Sequence, residues 1–214
     1  MIVSHDQPSA KLAEHLRDDE IHVWQMDYAS RQGRAPLRQV LAGYLGVPAG
    51  AVILVDGEHG RPVLADGLHS SLDFNWSHSG DRAVLAVGRA VVPGIDVERR
   101  RPRPRALEIA ERYFDPAEAA ALADLPEGER DEAFLRLWTA KEAVLKALGR
   151  GLAFGLHRLG IAPTPEPLAL TYLHGERAED WQLQSLPLGD EYIGALAWRG
   201  DRRRILLGRL ASGT

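Results

Sequence analysis

LWTAKEAVLKALGRGL, residues 137–152, has the spacing of a helix with a clear apolar stripe. With about 100° between successive residues, Phe134, Leu137, Trp138, Val144, Leu145 and Leu148 share one side. Lys141 projects into the middle of that apolar stripe, and Glu142 and Lys146 lie together on its border. A surface helix accounts for much of this. Glu142 and Lys146 then form an (i, i+4) pair worth a few tenths of a kcal/mol, and Lys141 snorkels past the core.

Outward from this helix, strand and helix signals mix without βαβ regularity. PLRQVLAGYLG (36–46) has helical spacing and is stopped by VPAG, AVILV (51–55) reads as a strand, and GEHGRPVL as a turn leading into a short extended piece. RAVLAVG is a buried strand bounded by glycines, and VVPGIDVE a further strand after a Pro-Gly break. ALEIAERYF and DPAEAAALADL are helices, the second opened by Asp115 with Pro116 in its first turn. WQLQSL and YIGALAW are strands, and the Gly-Asp turn before RILLGRL predicts a hairpin closing an antiparallel sheet. The class is α+β. The Val91–Gly94 punctuation predicts a division into lobes of residues 1–91 and 92–214.

The chain has 214 residues, 45% of them hydrophobic, enough to build a proper core. A net charge of −4 gives the whole molecule no electrostatic case for wrapping nucleic acid. The absence of cysteine excludes disulfides, thiolate nucleophiles and Cys-type zinc sites, and fits a reducing compartment. No signal-peptide pattern opens the sequence and no apolar run reaches membrane-spanning length, so a cytoplasmic protein is expected.

In GIDVE (94–98), strand alternation turns Asp96 and Glu98 to one face, roughly 7 Å apart. Two carboxylates there repel unless a cation lies between them. Arginines of the following run could neutralise them. The other reading is a hard divalent ion, and Mg²⁺ fits because it needs few protein carboxylates when a phosphate supplies oxygens; Glu142 is then a candidate third ligand. FNWSHSGDRAVLAV places Ser77, His78 and Ser79 just before a buried strand, either as a solvated turn or as phosphate donors. A GXSXG motif is absent, so a serine nucleophile has little support. Arg61 sits in a Gly-Arg-Pro turn, and Arg31, Arg34 and Arg38 cluster near the first helix. Arg99, Arg100, Arg101, Arg103 and Arg105 form a dense run that is either a solvated connector or a docking surface for an acidic partner. The RGD tripeptide at 199–201 needs no partner in a turn.

GIDVE followed by WTAKEAVLKALGRGL (138–152) closely resembles the paired signature of the 4'-phosphopantetheinyl transferase superfamily, and GRPVL and FNWSHS match further motifs of its larger, Sfp-type branch. The resemblance implies a pseudo-twofold monomer of two similar α+β lobes, each with a small antiparallel sheet and a packed helix. Coenzyme A would lie in the cleft, with its nucleotide end on the N-terminal lobe and the metal-binding carboxylates and catalytic helix on the C-terminal lobe. It makes Asp96 and Glu142 ligands of Mg²⁺, with Glu98 a third ligand or a partner through water. Glu142 resembles the residue that takes the acceptor serine's proton. His78 and Lys146 match phosphate-contacting positions, Ser77 and Arg61 contacts to the nucleotide end, and Lys141 the lysine preceding the catalytic glutamate, its head expected to emerge at the phosphates. The basic segment usual upstream of the first long helix is shortened here, which leaves Arg34 and Arg31 as candidates for the 3'-phosphate.

The implied reaction is attack by a serine of an apo acyl or peptidyl carrier protein on the β-phosphate of coenzyme A, releasing 3',5'-ADP. Its rivals are a Mg²⁺-dependent hydrolase of a nucleotide diphosphate and a non-catalytic carrier-protein-binding module.

Overall fold

Apolar residues gather into two separate cores in a computed structural model, which describes residues 2–5, 16–65, 71–162 and 167–210. The chain divides accordingly into Met1–Pro93 with Arg202–Thr214, and Gly94–Asp201.

The first unit contains β1 (Ile2–His5), β2 (Glu20–Asp27), helix α1 (Ala35–Leu45), the paired β3 (Leu54–Asp56) and β4 (Pro62–Leu64), β5 (Leu72–Ser79) and β6 (Arg82–Arg89). Helix α1 forms because Leu37, Val40, Leu41 and Tyr44 recur on one buried side, and Gly46 ends it at φ 66°, a left-handed conformation that costs glycine little. The second unit contains β7 (Gly94–Arg99), helices α2 (Ala106–Tyr113), α3 (Pro116–Ala123) and α4 (Glu127–Leu148), then β8 (Leu159–Ile161), β9 (Leu170–Leu173), β10 (Trp181–Ser185) and β11 (Tyr192–Arg199). The α+β class expected from the sequence is the class observed.

Strand β12 (Arg204–Leu210) corrects the expected hairpin. It does not pair with β11; it lies between β1 and β2 in the order β1-β12-β2-β6-β5, parallel to both neighbours. Ile205, Leu206 and Leu207 are all buried, a continuous run that suits a strand covered on both faces. Gly208 lies opposite Trp24, where a Cβ would come within 2.5 Å of the indole, so only glycine admits that ring. The first unit's sheet is therefore mixed rather than antiparallel, and residues 202–214 belong with the N-terminal unit rather than with a lobe of 92–214.

The second unit's sheet, β10-β11-β7, is antiparallel throughout. Helix α4 packs on β7 and β11 and is buried on more sides than its stripe indicated, with Leu135, Ala140 and Ala143 inside as well. On one side Phe134 stacks on Phe114 with ring centroids 5.5 Å apart. On the side toward β7 the helix is small: a Cβ on Gly94 would meet Ala143 O at 2.0 Å and Ala147 N at 2.4 Å. The glycine that opens GIDVE lets strand and helix touch backbone to backbone. Among the described residues, no helix is long and apolar enough to cross a membrane.

Candidate active site

The close approach at Gly94 brings the two decisive motifs together. In β7 the even positions turn toward α4. Asp96 is buried and Glu98 half-buried, and they pair in register with Ala195 and Ile193 of β11, whose side chains carry no charge. Lys146 Nζ reaches across from α4 to donate to Asp96 Oδ1 at 2.6 Å and to Ile95 O at 3.0 Å. Glu98 Oε2 accepts from Arg103 Nη2 at 2.7 Å.

Glu142 is placed differently. Its Oε1 is buried without a hydrogen-bond partner. Burial above all, then the charges of Asp96 and Glu98, push its carboxyl up to about 7, and Lys146 opposes the shift. Three hard oxygen donors that repel one another, one of them with a buried orphan oxygen, fit a hard divalent cation. Two of the three currently face protein cations. Among the described residues, no three His, Asp or Glu side chains are gathered closely enough to hold a metal ion as they stand.

Lys141 requires a correction. Its side chain is 0% exposed, and its ammonium does not emerge at a phosphate site. Instead Nζ pairs with Glu118 Oε2 at 2.7 Å and donates to Leu156 O at 2.9 Å and Leu159 O at 2.5 Å. Burial pushes the Lys141 ammonium down and the Glu118 carboxyl up from their ordinary values, and each partner's charge opposes the shift. Lys141 is spent inside the protein, so its assignment to coenzyme A is withdrawn.

The remaining candidates lie in the first unit. Ser77 and His78 are not in a turn before a strand; they end β5, and Gly80 and Asp81 make the turn that follows. Ser77 is buried, whereas His78 is exposed with its ring 4.6 Å from Tyr28 and 5.4 Å from Trp76. Arg61 Nη2 donates to Asp73 Oδ1 at 2.7 Å and Phe74 O at 2.8 Å, bonds that tie its turn to β5. Arg34 pairs with Asp56, while Arg31 is exposed in a 3-10 turn.

The arginine run is not simply solvated. Arg99 lies 3.6 Å from Glu191, Arg100 pairs with Glu132, Arg103 with Glu98, and Arg105 lies 2.8 Å from Glu108. Arg101 is left as an exposed charge. Arg103 does to Glu98 what the neutralising reading of the run expected, and Glu118 is the residue that sequence reasoning passed over. A lysine inside an apolar stripe signals that a buried carboxylate must meet it, and that signal was present.

The model of the 4'-phosphopantetheinyl transferase superfamily matches residues 93–197, a stretch that includes both motifs. The 4'-phosphopantetheinyl transferase HetI of Nostoc sp. strain PCC 7120 is 38% identical over 206 residues, which cover 91% of this chain and 84% of HetI. The chain belongs to the 4'-phosphopantetheinyl transferase superfamily. The L-aminoadipate-semialdehyde dehydrogenase-phosphopantetheinyl transferase of Mus musculus is 31% identical over 80% of this chain and 61% of its own length. The 4'-phosphopantetheinyl transferase psf-1 of Bacillus pumilus is 36% identical over 58% of this chain and 51% of its own. Membership makes the chain an enzyme that transfers 4'-phosphopantetheinyl groups, as the paired motifs implied.

Proposed function

We propose that this transferase moves 4'-phosphopantetheine from coenzyme A to the serine hydroxyl of an apo acyl or peptidyl carrier protein, with release of 3',5'-ADP. The observation that carries the reading is Glu142: a half-buried side chain with one buried orphan oxygen, its carboxyl pushed up to about 7 beside Asp96 and Glu98. In the metal-free protein that carboxyl is held against its charge, and a divalent cation bound among the three carboxylates would favour its ionised form, which can take a proton from a hydroxyl. Asp96, Glu142 and, directly or through water, Glu98 would hold Mg²⁺, which when bound supplies positive charge to the diphosphate oxygens. Lys146, on the same edge of α4, adds charge for the departing diphosphate. His78, Ser77 and Arg31 are assigned to the phosphates and nucleotide end of coenzyme A; Arg34 and Arg61 are weaker candidates because each already bonds an aspartate. The chain provides positioning and electrostatics and needs no nucleophile of its own, in keeping with a sequence without cysteine. A reducing compartment such as the cytoplasm accords with that composition, and a monomer is what the resemblance to the Sfp-type branch implies.

The test is incubation with coenzyme A, Mg²⁺ and a panel of apo carrier proteins, followed by mass measurement. A carrier that gains one phosphopantetheine, with the gain lost in Glu142→Ala, supports the reading. Release of free 4'-phosphopantetheine without a carrier would show hydrolysis instead.

A further inference from the structure

Lys141 and Glu142 are successive residues of α4, and their side chains leave the helix about 100° apart. A rotation of α4 that seats one therefore seats the other. Three acceptors hold the ammonium of Lys141: Glu118 Oε2, Leu156 O and Leu159 O. They match its three N–H donors in number. The ring of Phe114 lies 5.1 Å from Nζ. Glu118 in turn accepts from Ile161 N at 2.7 Å and from Asp115 N at 3.1 Å. One buried pair thus joins the start of α3, the middle of α4, the turn after α4 and strand β8. None of these bonds is made to Asp96, Glu98, Glu142 or Lys146.

Stability alone does not call for such a pair. The ring against Nζ, Phe114, belongs to the unit's buried apolar cluster, and a methionine has the length to fill the space of Lys141 there. Replacing a buried ion pair by apolar groups of the same volume is commonly neutral or stabilising. What the pair adds is direction: four elements are held in one geometry by bonds that tolerate little rotation.

We propose that the Lys141–Glu118 pair is a positioning device for the active site, fixing the rotation of α4 so that Glu142 faces Asp96 and Glu98. Both residues act through Glu142 and neither touches substrate. The metal readout of this inference rests on the proposed Mg²⁺ assignment, so the experiment carries a control for it.

Wild type, Lys141→Met, Glu118→Leu and the double variant are compared at a temperature where circular dichroism shows each folded. Melting temperature, calorimetric Mg²⁺ affinity of the free enzyme, coenzyme A affinity in EDTA, and kcat are measured. Each single variant, with one buried charge left over, loses melting temperature. The double variant leaves no buried charge and so melts above either single variant, although below wild type because Leu156 O, Leu159 O and Ile161 N lose their partners. It still binds Mg²⁺ about tenfold or more weakly and keeps a reduced kcat, as expected when a supporting group behind a metal ligand is lost. Coenzyme A affinity in EDTA stays at the wild-type level in all of them. Recovery of Mg²⁺ affinity and kcat together with melting temperature in the double variant overturns the proposal and leaves the pair a packing element. A loss of coenzyme A affinity confined to Lys141→Met overturns it in favour of a direct contact. If Glu142→Ala binds Mg²⁺ like wild type, the metal assignment fails instead, and kcat of the double variant decides the proposal alone. Should a single variant not fold, Glu118→Gln, which keeps the shape and loses the charge, takes its place with the same expected directions.

Discussion

Replacing Glu142 by glutamine should stabilise the metal-free protein at alkaline pH and do nothing at acid pH. The folded carboxyl sits at about 7 against an ordinary value of 4.5, because burial and then the charges of Asp96 and Glu98 disfavour its ionised form. The folded chain therefore holds a proton that the unfolded chain has released, and wild-type stability falls as pH rises from about 4.5 toward 7. The difference is about 2.5 pH units, from 4.5 to about 7. At about 1.4 kcal/mol each, this is roughly 3 kcal/mol, reached by pH 8 and absent below pH 4. Glutamine has the same shape and never ionises, so it escapes that cost. For a chain of this length, roughly 3 kcal/mol corresponds to a melting-temperature gain of about 6–12 °C. Urea unfolding in EDTA, followed by tryptophan fluorescence and far-UV circular dichroism from pH 4 to 8.5, measures it. Saturating Mg²⁺ should narrow the gap at high pH, because only the wild type offers the metal a carboxylate there. A stability difference that is flat with pH, or a glutamine variant less stable than wild type at pH 8.5, refutes the view that Glu142 is held against its charge.

Gly94→Ala should cost about 3 kcal/mol or more in a urea melt, since its Cβ would meet backbone atoms of Ala143 and Ala147 that have no side-chain freedom to give way; a wild-type midpoint would contradict the contact. Lys146→Ala should lower turnover and also cost about 2 kcal/mol in EDTA through loss of the 2.6 Å bond to Asp96, part of it restored by Mg²⁺. An unchanged urea midpoint would count against that bond. Arg101→Ser should alter stability by less than about 0.5 kcal/mol while flattening the rise of the carrier's KM with ionic strength. Arg103→Ser, by contrast, should lower stability, since it breaks a 2.7 Å bond to Glu98. Equal behaviour of the two arginine variants would mean that the run acts as one solvated patch.

What could be read from the sequence was local. The period-two spacing of GIDVE and the helical spacing of residues 134–148 are properties of short segments, and both elements form where they were expected. The parallel pairing of β12 with β1 and β2 was not legible, because nothing near residues 204–210 shows which distant edge will receive them. Strand β2 escaped notice for a related reason. Its polar-apolar alternation changes phase at Val23–Trp24, and Glu20 and His22 are buried although polar, so neither face of the strand reads as consistently apolar. Glu118 was hidden by a sufficient local explanation. Three residues after Asp115 it completes a capping box, with Asp115 N donating to its Oε2. That role accounts for a glutamate there without revealing that the same carboxylate also meets Lys141 and Ile161 N.

The two lysines of AKEAVLK show why sequence assigns charges to a site more easily than it assigns them roles. Both lie within a signature that points to phosphate chemistry, and in the sequence alone both are cations available to a diphosphate. The structure separates them by what each ammonium already holds. Lys141, at 0% exposure, bonds a carboxylate and two carbonyls, and moving it would strand Glu118 as a buried charge. Lys146 is half-buried and bonds the aspartate assigned to the metal, so a divalent ion binding Asp96 would compete for the carboxylate that Lys146 now holds. A mobile cation in the active site must therefore be the one at residue 146. The lysine beside the proposed base serves best by keeping still.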